Sequence, residues 1–130
     1  MSATHTPPAT ALLVEDEALV AMVAEDNLRY LGFETACVGS AKEALGHFER
    51  DGSQLMLAII DVGLPDMRGD ALASDVRRRF PSVKVIVASG YDPVQLNERF
   101  ANDGDVAVMS KPYSEDDLKR AIVSLGLPVA

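Results

Sequence analysis

The chain has 130 residues, enough for one domain with a proper core, and it is 48% apolar and 25% charged, as an ordinary globular domain should be. Its net charge of −8 opposes contact with a nucleic-acid backbone, which needs a basic footprint. No apolar run approaches the roughly 20 residues of a membrane span, so neither nucleic acid nor membrane is expected as a partner.

Residues 1–10 are expected to be a flexible tail. Met1 to Pro8 has no basic end and no apolar middle, so it is no signal peptide. Leu12, Leu13 and Val14 then form a short apolar strand, and Glu15-Asp16-Glu17 follows at once. Val20, Val23, Ala24, Leu28 and Leu31 fall at helical spacing, with Gly32 as the stop. Phe33 to Val38 is the second strand. Its Cys37 is the sole cysteine, which allows no internal disulfide, suits a cytoplasmic location, and reads as a small buried strand residue. Ser40 and Glu43 make a capping-box pattern ahead of the stripe Ala41, Ala44, Leu45 and Phe48, and Gly52 closes that helix.

Leu55 to Ile60 is the third strand. Leu57, Ala58, Ile59 and Ile60 show no alternation, which reads as burial on both faces. The run ends abruptly in Asp61, and the turn residues Gly63, Pro65 and Asp66 follow. A helix from about Arg68 buries Leu72, Val76 and Phe80 and stops at Pro81. Val83, Val85, Ile86 and Val87 make the fourth strand. Asp92-Pro93 pairs an N-cap with a first-turn proline for a helix running to Asn102, with Gly104 ending it. Val106 to Met109 is the fifth strand. Ser114 caps a last helix with Leu118, Ala121, Ile122 and Leu125 on its inner face. Strands alternating with helices predict an α/β fold with a five-stranded parallel sheet joined by right-handed crossovers. The single domain is expected over residues 11–126, leaving 127–130 as a C-terminal tail.

In a parallel sheet all strands point the same way, and ligands bind outside their carboxyl ends. Glu15 and Asp16 follow the first strand, Asp61 the third, Ser89-Gly90 the fourth and Ser110-Lys111-Pro112 the fifth. Taken singly, these are first-turn acids, a turn former, a turn serine and a solvated lysine. Jointly they bring three carboxylates, a hydroxyl and an ammonium to one rim. Crowded carboxylates repel unless a cation is present, and a divalent hard cation with oxygen ligands is the economical solution. Lys111 and Ser89 then suit the oxygens of a phosphoryl group. Asp61 is best placed to accept that group covalently, with catalysis mostly by metal charge and positioning. His5 and His47 read as surface residues rather than ligands.

These stretches resemble the response-regulator receiver family of two-component signalling from Ala11 to about Leu125. The motifs are Leu-Val-Glu-Asp-Glu, then Ile-Ile-Asp-Val-Gly-Leu-Pro-Asp-Met-Arg-Gly, then Ala-Ser-Gly and Ser-Lys-Pro-Tyr. The resemblance implies a doubly wound, flavodoxin-like fold with strand order 2-1-3-4-5. It implies Asp61 as phosphoacceptor and Mg²⁺ held by Asp16 and Asp61, with Glu15 through water and the Gly63 carbonyl. It also implies that Ser89 bonds a phosphoryl oxygen, that Lys111 pairs with the phosphoryl group, and that Lys111-Pro112 is cis. One position departs from the family: Val108 stands where the usual pattern has Tyr or Phe, so it has no ring to swing inward. Gly90-Tyr91 resembles a subgroup without that ring, and Tyr91 is a candidate for the changing surface.

The expected function is a phosphorylation-dependent binding switch rather than an enzyme. A sensor histidine kinase or histidine phosphotransfer protein would supply the phosphoryl group, and a downstream protein would read it. The chain reads as a stand-alone receiver or as one cut from a hybrid kinase. A haloacid-dehalogenase-type phosphatase is the rival with an aspartyl nucleophile, but Gly63 occupies its second Asp position. A nucleotide or flavin binder would want a phosphate-cradling loop after the first strand, where Glu15-Asp16-Glu17 repels phosphate. A degenerate receiver would lack a core residue, and none is missing.

Overall fold

The computed structural model describes residues 9–90 and 93–130. Most of the expected N-terminal tail, His5, the Asp92 cap and the Tyr91 surface role lie outside the described residues. Strands β1 (Ala9–Val14), β2 (Phe33–Val38), β3 (Leu57–Asp61), β4 (Lys84–Ser89) and β5 (Val106–Ser110) form one parallel sheet in the order β2-β1-β3-β4-β5. Helices α1 (Ala18–Tyr30), α2 (Ala41–Asp51), α3 (Gly69–Arg79) and α4 (Val94–Arg99) connect successive strands, and α5 (Glu115–Ser124) follows β5. This is the doubly wound order that the family resemblance implied.

The unbroken apolar strands work because two helical layers cover the sheet. Leu12, Val14, Ala58, Ile60, Val85 and Val87 pack with Phe48 of α2, Leu72 and Val76 of α3 and Leu96 of α4. Their neighbours Leu13, Leu57, Ile59 and Ile86 point the other way, to Leu28 of α1 and to Leu118 and Ile122 of α5. Every residue of β3 is buried. Each of its large aliphatic side chains contributes about 1.5–3 kcal/mol by leaving water.

The caps follow the sequence closely. Ser40 Oγ accepts from Glu43 N–H at 3.2 Å, but the Glu43 carboxylate takes Gly39 N–H (3.3 Å). Ser114 and Asp117 complete a reciprocal box at 3.1 and 2.9 Å.

Several expectations are corrected. β1 starts at Ala9, paired with Phe33, so the ordered sheet begins inside the segment expected as tail. At the other end, Leu127 and Val129 pack on the α1/α5 layer and Ala130 N–H donates to the Leu31 carbonyl at 2.8 Å. β3 begins at Leu57, because the 3₁₀ turn Gly52–Gln54 takes up the chain and Leu55 N–H closes it onto Gly52. Gly52 is needed for packing: a Cβ there would lie 2.7 Å from the Phe80 ring, which stacks on Phe48. α4 stops at Arg99, three residues early, and Phe100 turns into the core. Val23 is 60% exposed, since α1 buries only the narrow stripe through Ala24 and Leu28. Cys37 is exposed as well. On edge strand β2 it is Ala36 and Val38 that face a core layer, and the Cys37 thiol donates to Glu25 at 2.9 Å.

Candidate functional site

Parallel pairing brings the carboxyl ends of the strands to one rim, and backbone bonds knit that rim together. Glu15 N–H donates to the Val38 carbonyl (3.0 Å), carrying the β1–β2 ladder one residue past β1. Val62 N–H donates to Ala88 (2.9 Å) and Lys111 N–H to Ser89 (2.7 Å), so β3, β4 and the chain after β5 are joined just where their side chains converge. The Lys111–Pro112 peptide is cis.

Four of the side chains named from the sequence meet: Glu15, Asp16, Asp61 and Lys111. One carboxylate oxygen each from Glu15, Asp16 and Asp61 lie within 4.8 Å of one another. Glu15, Asp61 and Ser89 are buried while Asp16 opens to solvent. The Lys111 ammonium sits among them, 2.9 Å from Glu15 and 3.3 Å from Asp61, with Glu17 at 3.9 Å. Ser89 ends β4, the strand paired with β3 in a register that sets Asp61 beside Ala88. Gly63 flanks Asp61: a Cβ added there would lie 3.6 Å from Asp61 Oδ2.

Burial pushes the Glu15 carboxyl above its ordinary range, and the Asp61 charge adds to this against the hydrogen bonds from Lys111 and the Glu17 amide. Burial works against the Lys111 charge too. There the hydrogen bond to Glu15 and the charges of Asp61 and Glu15 win, so the ammonium is held charged. Three carboxylates with one ammonium leave a net charge of −2 in a partly desolvated cluster. Hard oxygen donors, excess negative charge and one ligand open to water fit a small divalent cation that keeps part of its hydration shell.

Three neighbours of this cluster have roles that sequence reasoning missed. Tyr113 packs its half-buried ring on the α1/α5 layer, and its hydroxyl is pushed up to about 12 by burial and by the charges of Glu15 and Asp61. Its signal was its place in Ser-Lys-Pro-Tyr. Gly69 lies against the Asp61 backbone, where a Cβ would be 1.9 Å from the Asp61 carbonyl oxygen. Asp70 is a buried carboxylate paired with Arg99 (2.6 Å) and Arg68 (3.1 Å), tying α3 to α4 beside Ser89. No local spacing points to Arg99.

A family model described as the response regulator receiver domain matches residues 11–123. The chain belongs to that family. As a receiver domain it is 32% identical to the sensor kinase CckA of Brucella abortus over 114 residues, which is 88% of this chain and 12% of that protein. It is 37% identical to the sensory transduction protein RegX3 of Mycolicibacterium smegmatis over 113 residues, 84% of this chain and 46% of the relative. It thus spans less than half the length of either. Among solved structures, a CheY-like response regulator receiver domain from Methanospirillum hungatei superposes with a TM-score of 0.79 at 28% identity, covering 89% of this chain and 91% of that one. Among the described residues no helix of this receiver domain is long and apolar enough to cross a membrane.

Proposed function

We propose that this receiver domain is a switch set by transfer of a phosphoryl group to Asp61. The observation that carries the reading is the convergence of Glu15, Asp16 and Asp61 around Lys111 at the strand ends. The donor is a phosphohistidine on a sensor histidine kinase or a phosphotransfer protein. An Asp61 carboxylate oxygen forms a bond to phosphorus as the P–N bond breaks, and the imidazole keeps the electron pair. Asp16, Asp61, the Gly63 carbonyl and, through water, Glu15 are the residues to hold Mg²⁺. When bound, the ion offsets the negative charge that the phosphoryl oxygens bring to an already anionic rim.

The remaining residues orient and neutralise. Lys111 already sits between Glu15 and Asp61, so its ammonium can follow the charge onto a phosphoryl oxygen without a long displacement. The Ser89 hydroxyl donates to another. Beside Lys111 an apolar groove of about 450 Å³, lined by Leu19, Val20, Val23, Pro112 and Tyr113, offers a seat for the apolar face of the donor's helix. The added charge reorders the loops after β3 and β4. Val108 is half-buried against the α2/α3/α4 layer. With no ring there, the displacement passes through Ser89 to α4 and changes the affinity of that surface for a downstream protein. The domain works in the cytoplasm, alone or within a longer protein; its identity to a sensor kinase over 12% of that protein's length favours neither use over the other.

Incubation with a small phosphodonor and Mg²⁺ tests the reading. Intact-mass measurement should show one acid-labile addition that disappears in Asp61→Asn. A modification that survives Asp61→Asn, or one that forms equally well in chelator, overturns it.

A further inference from the structure

The side chain of Asp66, at the tip of the β3–α3 loop, reaches across to a different helix. Its two carboxylate oxygens accept from Ala41 N–H and Lys42 N–H, both at 2.9 Å. These are first-turn amides of α2, which no intrahelical carbonyl can satisfy. Ser40 fills a third, Glu43 N–H, from within the helix's own sequence. The first-turn amides are thus shared between a local cap and a carboxylate supplied by the loop that follows the phosphoacceptor. The bonds to Ala41 and Lys42 hold the Asp66 carboxyl below its ordinary range, so the clamp stays charged at neutral pH.

The same loop is fixed at its neck. Gly69 N–H donates to the Val62 carbonyl at 2.9 Å, with the Gly69 α-carbon pressed against the Asp61 backbone. Between the neck and the Asp66 anchor lies Gly63, beside Asp61 Oδ2. A loop pinned only at its neck could swing; this one is pinned at both places. Gly63 has no side chain of its own to hold it, so its backbone position depends on those two anchors.

We propose that Asp66 is a positioning residue for the magnesium site: it tethers the β3–α3 loop to α2 and so holds the Gly63 backbone beside the Asp61 carboxylate. The assignment rests on the magnesium reading given above. Coupling between two sites is reciprocal, so metal bound at the rim also tightens the first turn of α2, a helix that contributes no ligand.

The test compares wild type, Asp66→Ala and Ser40→Ala by Mg²⁺ calorimetry and by amide exchange at Ala41 and Lys42. Both variants remove capping oxygens from the same helix turn, a loss of the size ordinary for a helix cap, so both fold, and their melting temperatures should fall alike. Only Asp66→Ala frees the loop. It should weaken Mg²⁺ binding about 5-fold or more, the lower end of ordinary coupling between sites, while Ser40→Ala binds as wild type does. In wild type and Ser40→Ala, added Mg²⁺ should slow exchange at Ala41 and Lys42; in Asp66→Ala it should not. Equal Mg²⁺ affinity in wild type and Asp66→Ala, or an equal loss in Ser40→Ala, overturns the positioning role alone. Absence of Mg²⁺ binding in wild type, or undiminished binding in Asp61→Asn, overturns the metal reading and this role with it.

Discussion

Replacing Gly69 by alanine is the sharpest test of how the chain around Asp61 is held. A methyl group there would sit 1.9 Å from the Asp61 carbonyl oxygen, 2.6 Å from its carbonyl carbon and 2.8 Å from the Val62 α-carbon. Ordinary contact begins at 3.4 Å, so the start of α3 must back away by about 1.5 Å, and no rotamer change can relieve a clash with backbone. That displacement breaks the 2.9 Å bond from Gly69 N–H to Val62, leaving buried groups without partners at about 1–3 kcal/mol. Overpacking adds about 1–3 kcal/mol. A total near 3 kcal/mol, at roughly 4 °C per kcal/mol for a domain of this size, lowers Tm by about 12 °C. The variant still folds, because a chain of this length has about 6–20 kcal/mol of stability. Circular-dichroism melts with and without Mg²⁺ are the assay. The variant should melt lower and gain less from Mg²⁺ than wild type, since the loop carrying Gly63 beside Asp61 is displaced with the start of α3. A melt within 3 °C of wild type with full metal stabilisation would refute the account of why this position is glycine.

Two further predictions concern residues outside the rim. Arg77, only 14% exposed, donates to Asp103 (2.8 Å), Asp105 (3.2 Å) and the carbonyls of Pro81 (2.8 Å) and Val83 (2.9 Å). Arg77→Lys keeps the charge but loses the fork, and should cost about 2 kcal/mol in urea melts at neutral pH. Arg77→Ala removes the charge as well, and that further cost is pH-linked. The Arg77 guanidinium holds the Asp103 carboxyl below its ordinary 3.8. A depressed pKa stabilises the fold above the unfolded value, and the gain is lost as pH falls through the folded one. The gap between wild type and Arg77→Ala should therefore narrow below about pH 4, and a gap that stays constant in acid disproves the charge contribution. Cys37 is exposed, yet burial of its sulfur and the Glu25 carboxylate push its thiol up to about 12. With the thiolate scarce, though more nucleophilic, its reaction with a disulfide reagent at pH 8 should run about 50-fold slower than that of an ordinary thiol. Glu25→Gln should recover part of the rate; a wild-type thiol as fast as a free one rules the mechanism out.

The alternation of apolar runs with helical stripes was enough to read a five-stranded parallel α/β sheet, because each signal is carried by residues near one another in the chain, while the strand order came from the family resemblance. The same holds for Ser114 with Asp117, three positions apart, where the side chains that cap are those that start the helix. The rim was legible for a different reason. Parallel topology guarantees that whatever follows each strand meets at one edge, so Glu15, Asp16, Asp61, Ser89 and Lys111 could be collected without knowing a single distance. Topology says which edge, and three carboxylates gathered at one edge could hold a metal ion.

What escaped the sequence has a partner far away along the chain and no topological rule to announce it. Asp66 looked like a turn residue, and its acceptors are filled by amides 24 and 25 positions earlier. Asp70 was marked by no local pattern, and this buried carboxylate pairs with the exposed Arg99, 29 positions on. Gly52 looked like a helix stop, and it is required by the Phe80 ring. Cys37 looked like core, and edge strand β2 turned it outward to Glu25. The two carboxylates in this group bridge elements that the rim must move or hold, Asp66 between the β3–α3 loop and α2, Asp70 between α3 and α4. Catalytic groups can sit at strand ends because the sheet fixes those ends. The loops between them have no such scaffold, so their positions depend on long-range charged contacts of this kind. A receiver with an intact acidic rim can therefore still lose its response when a distant clamp is altered, and Asp66 and Asp70 are the two positions where that separation of chemistry from coupling can be measured.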